Sequence, residues 1–570
     1  SPWPQSPTGM AASRLVKKGV VVVASIGNSG DTGLYSAGAP GLGDSVIGVA
    51  SFDNTHVSLA SFTISPDNTG IGYAPASGAP LPPSAGSQEM ARTGTSASTA
   101  DGCSALPAGS LTGKVALIRR GSCTFYTKAI NAQNAGAVGV VLYNNSPGRF
   151  SGTVTGSPAI TIPVVSVSDA EGKLIDSRLA NGPVTMTWTE QQGTFLNPTG
   201  GLISSFSSYG LSPDLTLKPD IGAPGGLIHS TYPLEKGGYA TLSGTSMASP
   251  HVAGSVALLL QAKPKTKPAD VRGILQNTAV PKPWWGNPRL GFLDNVHRQG
   301  AGMVQIDKAI LTSTSVEPAK LSLGDGIGPI GQTLSIRNNG AKAITYDLSH
   351  APALSTGPNT FSVTFNTGFA TADFSAASVT VPAGEKVKLT VTITPSADLA
   401  DRSIYGGYLV FTPQGGGQTL RVPYAGFKGN YKSIQALAPT QYGFPWLAKN
   451  TADGYEQQAA GAAYTLQGDD LPTLLYHLDL QSRTMRVDVK DAAGKTYTVA
   501  TQQYVERNSS ANGFFSVNWD GKYMDARQVE QTLPDGSYQL VISVLKATGS
   551  PDTAADWEHW SSPMFTIARP

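Results

Sequence analysis

The sequence predicts a multidomain chain. It has a partial α/β domain, a parallel sheet with flanking helices, interrupted by an inserted α+β/β domain and followed by two all-β, sandwich-like domains. Three observations carry this. A buried strand and turn at residues 20–30 find their sequel, a small-residue turn and apolar helix, only at residues 244–260, far beyond the usual spacing of βα units. The stretch between has strand, turn and helix signals of its own. After about Thr312, alternating strands at short intervals replace helical periodicity. At 570 residues the chain is long enough for about three or four domains. The expected boundaries are 1–62 with 200–312 for the α/β domain, 63–199 for the insert, 313–428 for the first β domain and 429–570 for the last.

Taken in order, Met10 to Gly19 reads as a helix with a glycine stop that feeds the strand Val20-Val21-Val22-Val23. Gly27-Asn28-Ser29-Gly30 follows; alone, such a string is an ordinary turn, because Asn and Gly tolerate left-handed backbone. Residues 70–100, rich in Gly, Ala, Pro and Ser, read as a linker. Cys103 and Cys123 flank a hairpin-like unit; a bridge between them would close a loop of about twenty residues, add about 3 kcal/mol, and imply an oxidising compartment. Two free thiols in a cytosolic protein are the other reading. A helix from Phe125 to Ala137 and a buried strand Val138–Tyr143 complete the insert, and the α/β pattern resumes at Leu202. The strands Gln332–Arg337 and Val387–Thr394 open the sandwich region, and Tyr538–Leu545 follows a Pro-Asp-Gly-Ser turn near the end. Trp446, Trp519, Trp557 and Trp560 read mainly as sandwich core, with a carbohydrate or protein platform as the alternative.

Gly244-Thr245-Ser246-Met247-Ala248-Ser249-Pro250-His251-Val252-Ala253-Gly254 proposes chemistry. Ser246 falls at a helix N-terminus, where unpaired N–H groups and the positive dipole end favour a developing anion, so it is placed to attack an acyl carbon. His251, five residues on in the same helix, points to another face and reads as structural.

This string resembles the serine motif of the subtilisin-like (subtilase) serine proteases of the large secreted type. Val20–Gly30, Lys218–Gly225 and Arg298–Val304 resemble three further family segments in family order. The resemblance implies Ser246 as nucleophile, Asn28 as oxyanion-hole donor, and a substrate pocket shaped by Ser25, Gly27, Gly38 and Ala39. It implies a secreted endopeptidase acting on protein or peptide substrates. The insert, with Cys103 and Cys123, resembles a protease-associated domain, and residues 313–428 a fibronectin-III-like domain. The chain departs from the family in lacking its Asp and His motifs. The expectation is that a separate N-terminal polypeptide carries both; the rival reading is an inactive remnant that binds proteins or glycans.

Composition narrows the rest. Charged residues make up 14% and the net charge is +2, so no nucleic-acid partner is expected. No apolar run approaches the roughly 20 residues of a membrane span. Asn144 and Asn508 head glycosylation sequons. No cofactor is required and no metal ligand set is assigned; the acidic turns at Asp469-Asp470 and Asp520 leave structural calcium open without an ordered ligand loop.

Overall fold

The computed structural model describes residues 1–527 and 529–570 and divides into two compact units. The first comprises Ser1–Phe52, Ile203–Gly225 and Gly244–Pro570; the second comprises Asp53–Leu202 and Gly226–Ser243.

In the first unit the helix Pro7–Lys17 is capped by Ser6, whose hydroxyl accepts from the Gly9 amide at 3.2 Å. The chain leaves it through Gly19 at φ 95°, where a glycine turns the backbone at no steric cost. The strands Val23–Ser25, Ile47–Asp53 and Ile221–Gly226 lie side by side in that order, the first two parallel with Val23 opposite Ile47. Ile47 to Phe52 are all buried, an unbroken run that a strand covered on both faces requires. Ala248, Val252, Val256 and Leu259, spaced at helical intervals along Thr245–Ala262, pack on Val49, Ile221 and Ala223.

Two β domains follow. In the first, Thr314–Glu317, Ile330–Asn338, Lys386–Thr394 and Thr371–Phe374 form a four-stranded sheet beside a six-stranded one. Leu389, Val391 and Ile393 alternate inward against Tyr405, Leu409 and Phe411. The C-terminal domain repeats the plan. Its four-stranded sheet is ordered Gly454–Gln457, Trp446–Thr451, Thr473–Tyr476, Phe515–Asn518, and the second sheet centres on Gly536–Lys546 and Ser482–Asp491. Trp519 is core and Trp560 packs against that core, whereas Trp446 belongs to a separate small cluster with Phe444.

The second unit is a closed seven-stranded barrel. His56–Ile64 lies across the expected boundary at 63 and belongs to this unit, as does the hairpin of Ile228–Thr231 and Tyr239–Leu242. The expected linker at 70–100 is corrected: it contains the barrel strands Thr69–Pro75 and Ser87–Arg92. The helix Phe125–Asn134, capped by Thr124, buries Ala129 and Ala132 against Ala116, Ile118, Val140 and Leu142. Cys103 and Cys123 are joined in a disulfide.

Candidate active site

The strand Val23–Ser25 delivers Ile26, Gly27 and Asn28 to the N-terminus of the helix Thr245–Ala262. Three backbone bonds hold this loop. The Ile26 amide donates to the Val49 carbonyl at 3.0 Å, Ser208 N–H to the Gly27 carbonyl at 3.0 Å, and Gly30 N–H to the Phe206 carbonyl at 2.9 Å. Gly27 has φ 119°, and a Cβ there would stand 2.8 Å from the Ser208 hydroxyl. Behind the loop, the buried Arg298 guanidinium donates to the carbonyls of Ser204, Ser205 and Ser207 and lies 4.3 Å over the Tyr209 ring.

Asn28 Oδ1 accepts from the Thr245 amide at 2.9 Å and from the Thr245 hydroxyl at 2.8 Å. A backbone N–H can only donate, so the atom facing it must be the amide oxygen, and the Nδ2 group is turned the other way. It lies 3.3 Å from the point where a Cβ on Gly244 would stand, and the Ser246 amide nitrogen lies 3.5 Å from that point. The two nitrogens, with Met247 Sδ at 3.6 Å, surround the one point that a side-chain carbon on residue 244 would occupy. Ser246 is solvent-exposed. The Gly244 amide donates to the Gly225 carbonyl at 2.9 Å, which ties the serine turn to the end of the strand Ile221–Gly226.

The start of that strand is locked by charge. Asp220 is fully buried. Its Oδ2 accepts from Lys218 Nζ at 2.6 Å and from the Gly48 amide at 2.8 Å, and its Oδ1 from Lys320 Nζ at 2.7 Å. Burial alone would raise its pKa, but Lys218, Lys320 and Arg272 outweigh it and hold the carboxyl well below the usual carboxylate range. Burial pushes the Lys218 ammonium down to about 7, against the pull of Asp220.

The remaining expected residues are placed as follows. Ser25 ends its strand; Gly38 N–H donates to the Ile26 carbonyl at 2.8 Å, and Ala39 N–H to the Ser1 carbonyl at 2.8 Å. His251 is exposed on the nucleophile helix. No histidine or carboxylate among the described residues is hydrogen-bonded to Ser246; His297 is bonded to Thr356, His350 to Tyr424, His477 to Asp479 and His559 to Ser543.

The expected glycosylation sites Asn144 and Asn508 are both 4% exposed, and each side chain is hydrogen-bonded within the fold. Asn144 Nδ2 donates to the Gly148 carbonyl, and Asn508 Oδ1 accepts from the Leu478 amide. At the acidic turns, Asp470 is bonded to Thr465 and paired with Lys449. No group of three or more His, Cys, Asp or Glu among the described residues is placed to hold a metal ion. Sequence reading missed the Asn28–Thr245 lock, the Arg298 clamp and the cations around Asp220. Asn28, Thr245, Arg298 and Lys218-Pro219-Asp220 each lie in a segment the sequence singles out, but none of those segments signals its distant partner.

A parallel sheet whose strand end meets a serine at a helix N-terminus, beside an asparagine amide, defines the class. Residues 2–302 match the Subtilase family and residues 323–425 an Fn3-like domain, and the chain belongs to the subtilase family. It is 33% identical to the minor extracellular protease Vpr of Bacillus subtilis over 55% of this chain and 37% of that protein. It is 28% identical to a PI-type proteinase of Lactococcus lactis subsp. cremoris over 96% of this chain and 33% of the relative. It is also 28% identical to a C5a peptidase of Streptococcus pyogenes serotype M1 over 63% of this chain and 31% of that one. The chain thus spans about a third of the length of these relatives. No helix among the described residues is long and apolar enough to cross a membrane.

Proposed function

We propose that this chain is the serine-bearing portion of a secreted subtilisin-like endopeptidase. The observation that carries the reading is the space in front of Gly244, bordered by the Ser246 amide and the Asn28 side-chain amide. Two fixed donors at one point are what a tetrahedral oxyanion requires. Ser246 Oγ bonds the scissile carbonyl carbon while its proton passes to a base. The C–N bond then breaks as the base returns that proton to the leaving amine, and water releases the acyl group from Ser246 by the same route. Ser25, Gly27, Gly38 and Ala39 line the approach for the residue before the cut.

The base and its orienting carboxylate come from residues outside this sequence. The nucleophile helix supports this: Ala253, Gly254, Ala257 and Leu258 form an exposed apolar stripe, the kind of face a further segment of an α/β core covers. The barrel unit with its disulfide acts as a protease-associated domain that guides substrates, and the disulfide favours an oxidising, extracellular setting.

Labelling with a fluorophosphonate tests the reading. Modification of Ser246 in protein purified with a co-purifying Asp- and His-bearing segment, abolished by Ser246→Ala, is the expected result. No labelling with that segment present would leave the inactive binding module as the better account.

A further inference from the structure

The four-stranded sheet of the C-terminal domain turns one face to the core; its other face is covered at the centre, where Phe444 packs on Ala448 and Leu475, and is exposed around that cluster. Leu447, Leu474 and Val517 are core residues, so pairing register and strand alternation put Trp446, Asn450, Tyr455, Gln457 and Ser516 on the opposite face. Tyr442, Phe444 and Phe514 extend it. Phe444 is the buried hub, its ring centroid 4.9 Å from Trp446, 5.6 Å from Phe514 and 6.0 Å from Tyr442, and Tyr455 stands 5.8 Å from Phe514. Around this hub Tyr442 is 50% exposed, Phe514 44% and Tyr455 38%. The indole N–H of Trp446 donates to the Tyr442 carbonyl at 2.9 Å, which fixes the ring before any ligand arrives.

The polar groups on this face are neutral. The side chains of Asn450, Gln457 and Ser516 make no hydrogen bond with other described residues, so their donors and acceptors are available to a ligand. No Lys, Arg, Asp or Glu occupies an outward position of the four strands; Lys449 and Glu456 face each other at the opposite parity, and Lys449 is paired with Asp470 at 2.8 Å. An acidic polymer would need cations here; a protein-docking patch shares the aromatic enrichment of this face but adds Arg and Met, which the outward positions of the four strands lack. Ring faces interleaved with amides and a hydroxyl match a different chemistry, that of sugar rings with apolar C–H faces and neutral hydroxyl edges.

We propose that this sheet face, centred on Trp446, Tyr455 and Phe514, binds an extended neutral glycan. Binding is separate from peptide-bond cleavage, so it is tested in the Ser246→Ala chain, where the proteolytic reading has no influence. The full chain is run in native gels cast with hydroxyethyl cellulose, galactomannan or laminarin. Retardation by at least one of the three is expected, with the apparent affinity falling tenfold or more in Tyr455→Ala and Phe514→Ala, and severalfold in the surface double variant Asn450→Ala/Gln457→Ala. Tyr455→Phe is expected to bind within about threefold of the parent, because the ring is retained. Should the aromatic variants fail to fold, the Asn450/Gln457 variant still decides. Retardation by none of the three polysaccharides, or retardation that no substitution weakens, overturns the proposal. Retardation only in a gel containing denatured casein, lost in the same variants, assigns the face to protein and overturns it as well.

Discussion

The two ends of the strand Ile221–Gly226 are built on opposite principles. At its start, Asp220 has both carboxylate oxygens occupied by Lys218, Lys320 and the Gly48 amide, and its carbonyl accepts from Gln276. At its end, the Gly225–Gly244 contact leads to an exposed serine, beside which the Ser246 amide and the Asn28 side-chain nitrogen make no hydrogen bond to other described residues. Satisfied polar groups fix a position, while unsatisfied ones at a rigid position are available for chemistry. The difference between the ends is the difference between scaffold and site, and it can be broken from either side.

The largest effect belongs to the open end. In the complete enzyme Ser246→Ala is expected to lower turnover on the order of 10⁶-fold, read as single-turnover peptide hydrolysis, with the melting temperature unchanged. At the closed end, Asp220→Asn strands Lys218 and Lys320 beside a neutral group, and urea denaturation is expected to show a loss of about 3–5 kcal/mol. A loss under 1 kcal/mol would remove the cluster from the scaffold. Because the folded pKa of Asp220 lies below its unfolded value, its contribution is present above about pH 4 and disappears as the pH falls through the acidic range. The melting temperature of the parent should therefore fall more steeply on acidification than that of Asp220→Asn.

Smaller changes sharpen the comparison. Asn28→Ala should cost about 10²–10³ in kcat with KM little changed, as for other side-chain donors to an oxyanion. Gly244→Ala places a methyl in the same space and should lower kcat at least about tenfold; a fully active variant would show that the oxyanion sits elsewhere. Thr245→Val removes one of two bonds to Asn28 Oδ1 and leaves the amide donor in place, so a loss of about fivefold in kcat is expected.

Much of the α/β domain was legible because its signals are local. Gly19 announces a helix stop and the small residues at 244–254 a tight turn into a helix; the four-valine run is corrected, because the strand is Val23–Ser25, Val20 is 48% exposed and Val21 to Val23 are only half-buried. The barrel strands at 69–75 and 87–92 were not legible. In Thr69–Pro75 only Ile71 and Tyr73 carry the inward alternation, and neighbouring strands supply the rest of what makes it a strand. The sequons read correctly as triplets, but burial of Asn144 and Asn508 depends on tertiary neighbours. The orientation of Asn28 depends on Thr245, more than two hundred residues downstream, and the state of Asp220 on Lys320, a hundred residues away. Local pattern named the candidate groups; the partners that set their direction and charge come from distant chain.

Residues 52 and 203, where the chain departs toward the barrel and comes back, are bridge partners, and so nearly are 225 and 244, joined by a hydrogen bond. Both excursions leave and re-enter the first unit at points already stitched together. In evolutionary terms these are two splice points. A lineage could gain, exchange or shed the barrel by changes confined to them, without rethreading the sheet that holds the serine, since closing such short gaps asks little of the backbone.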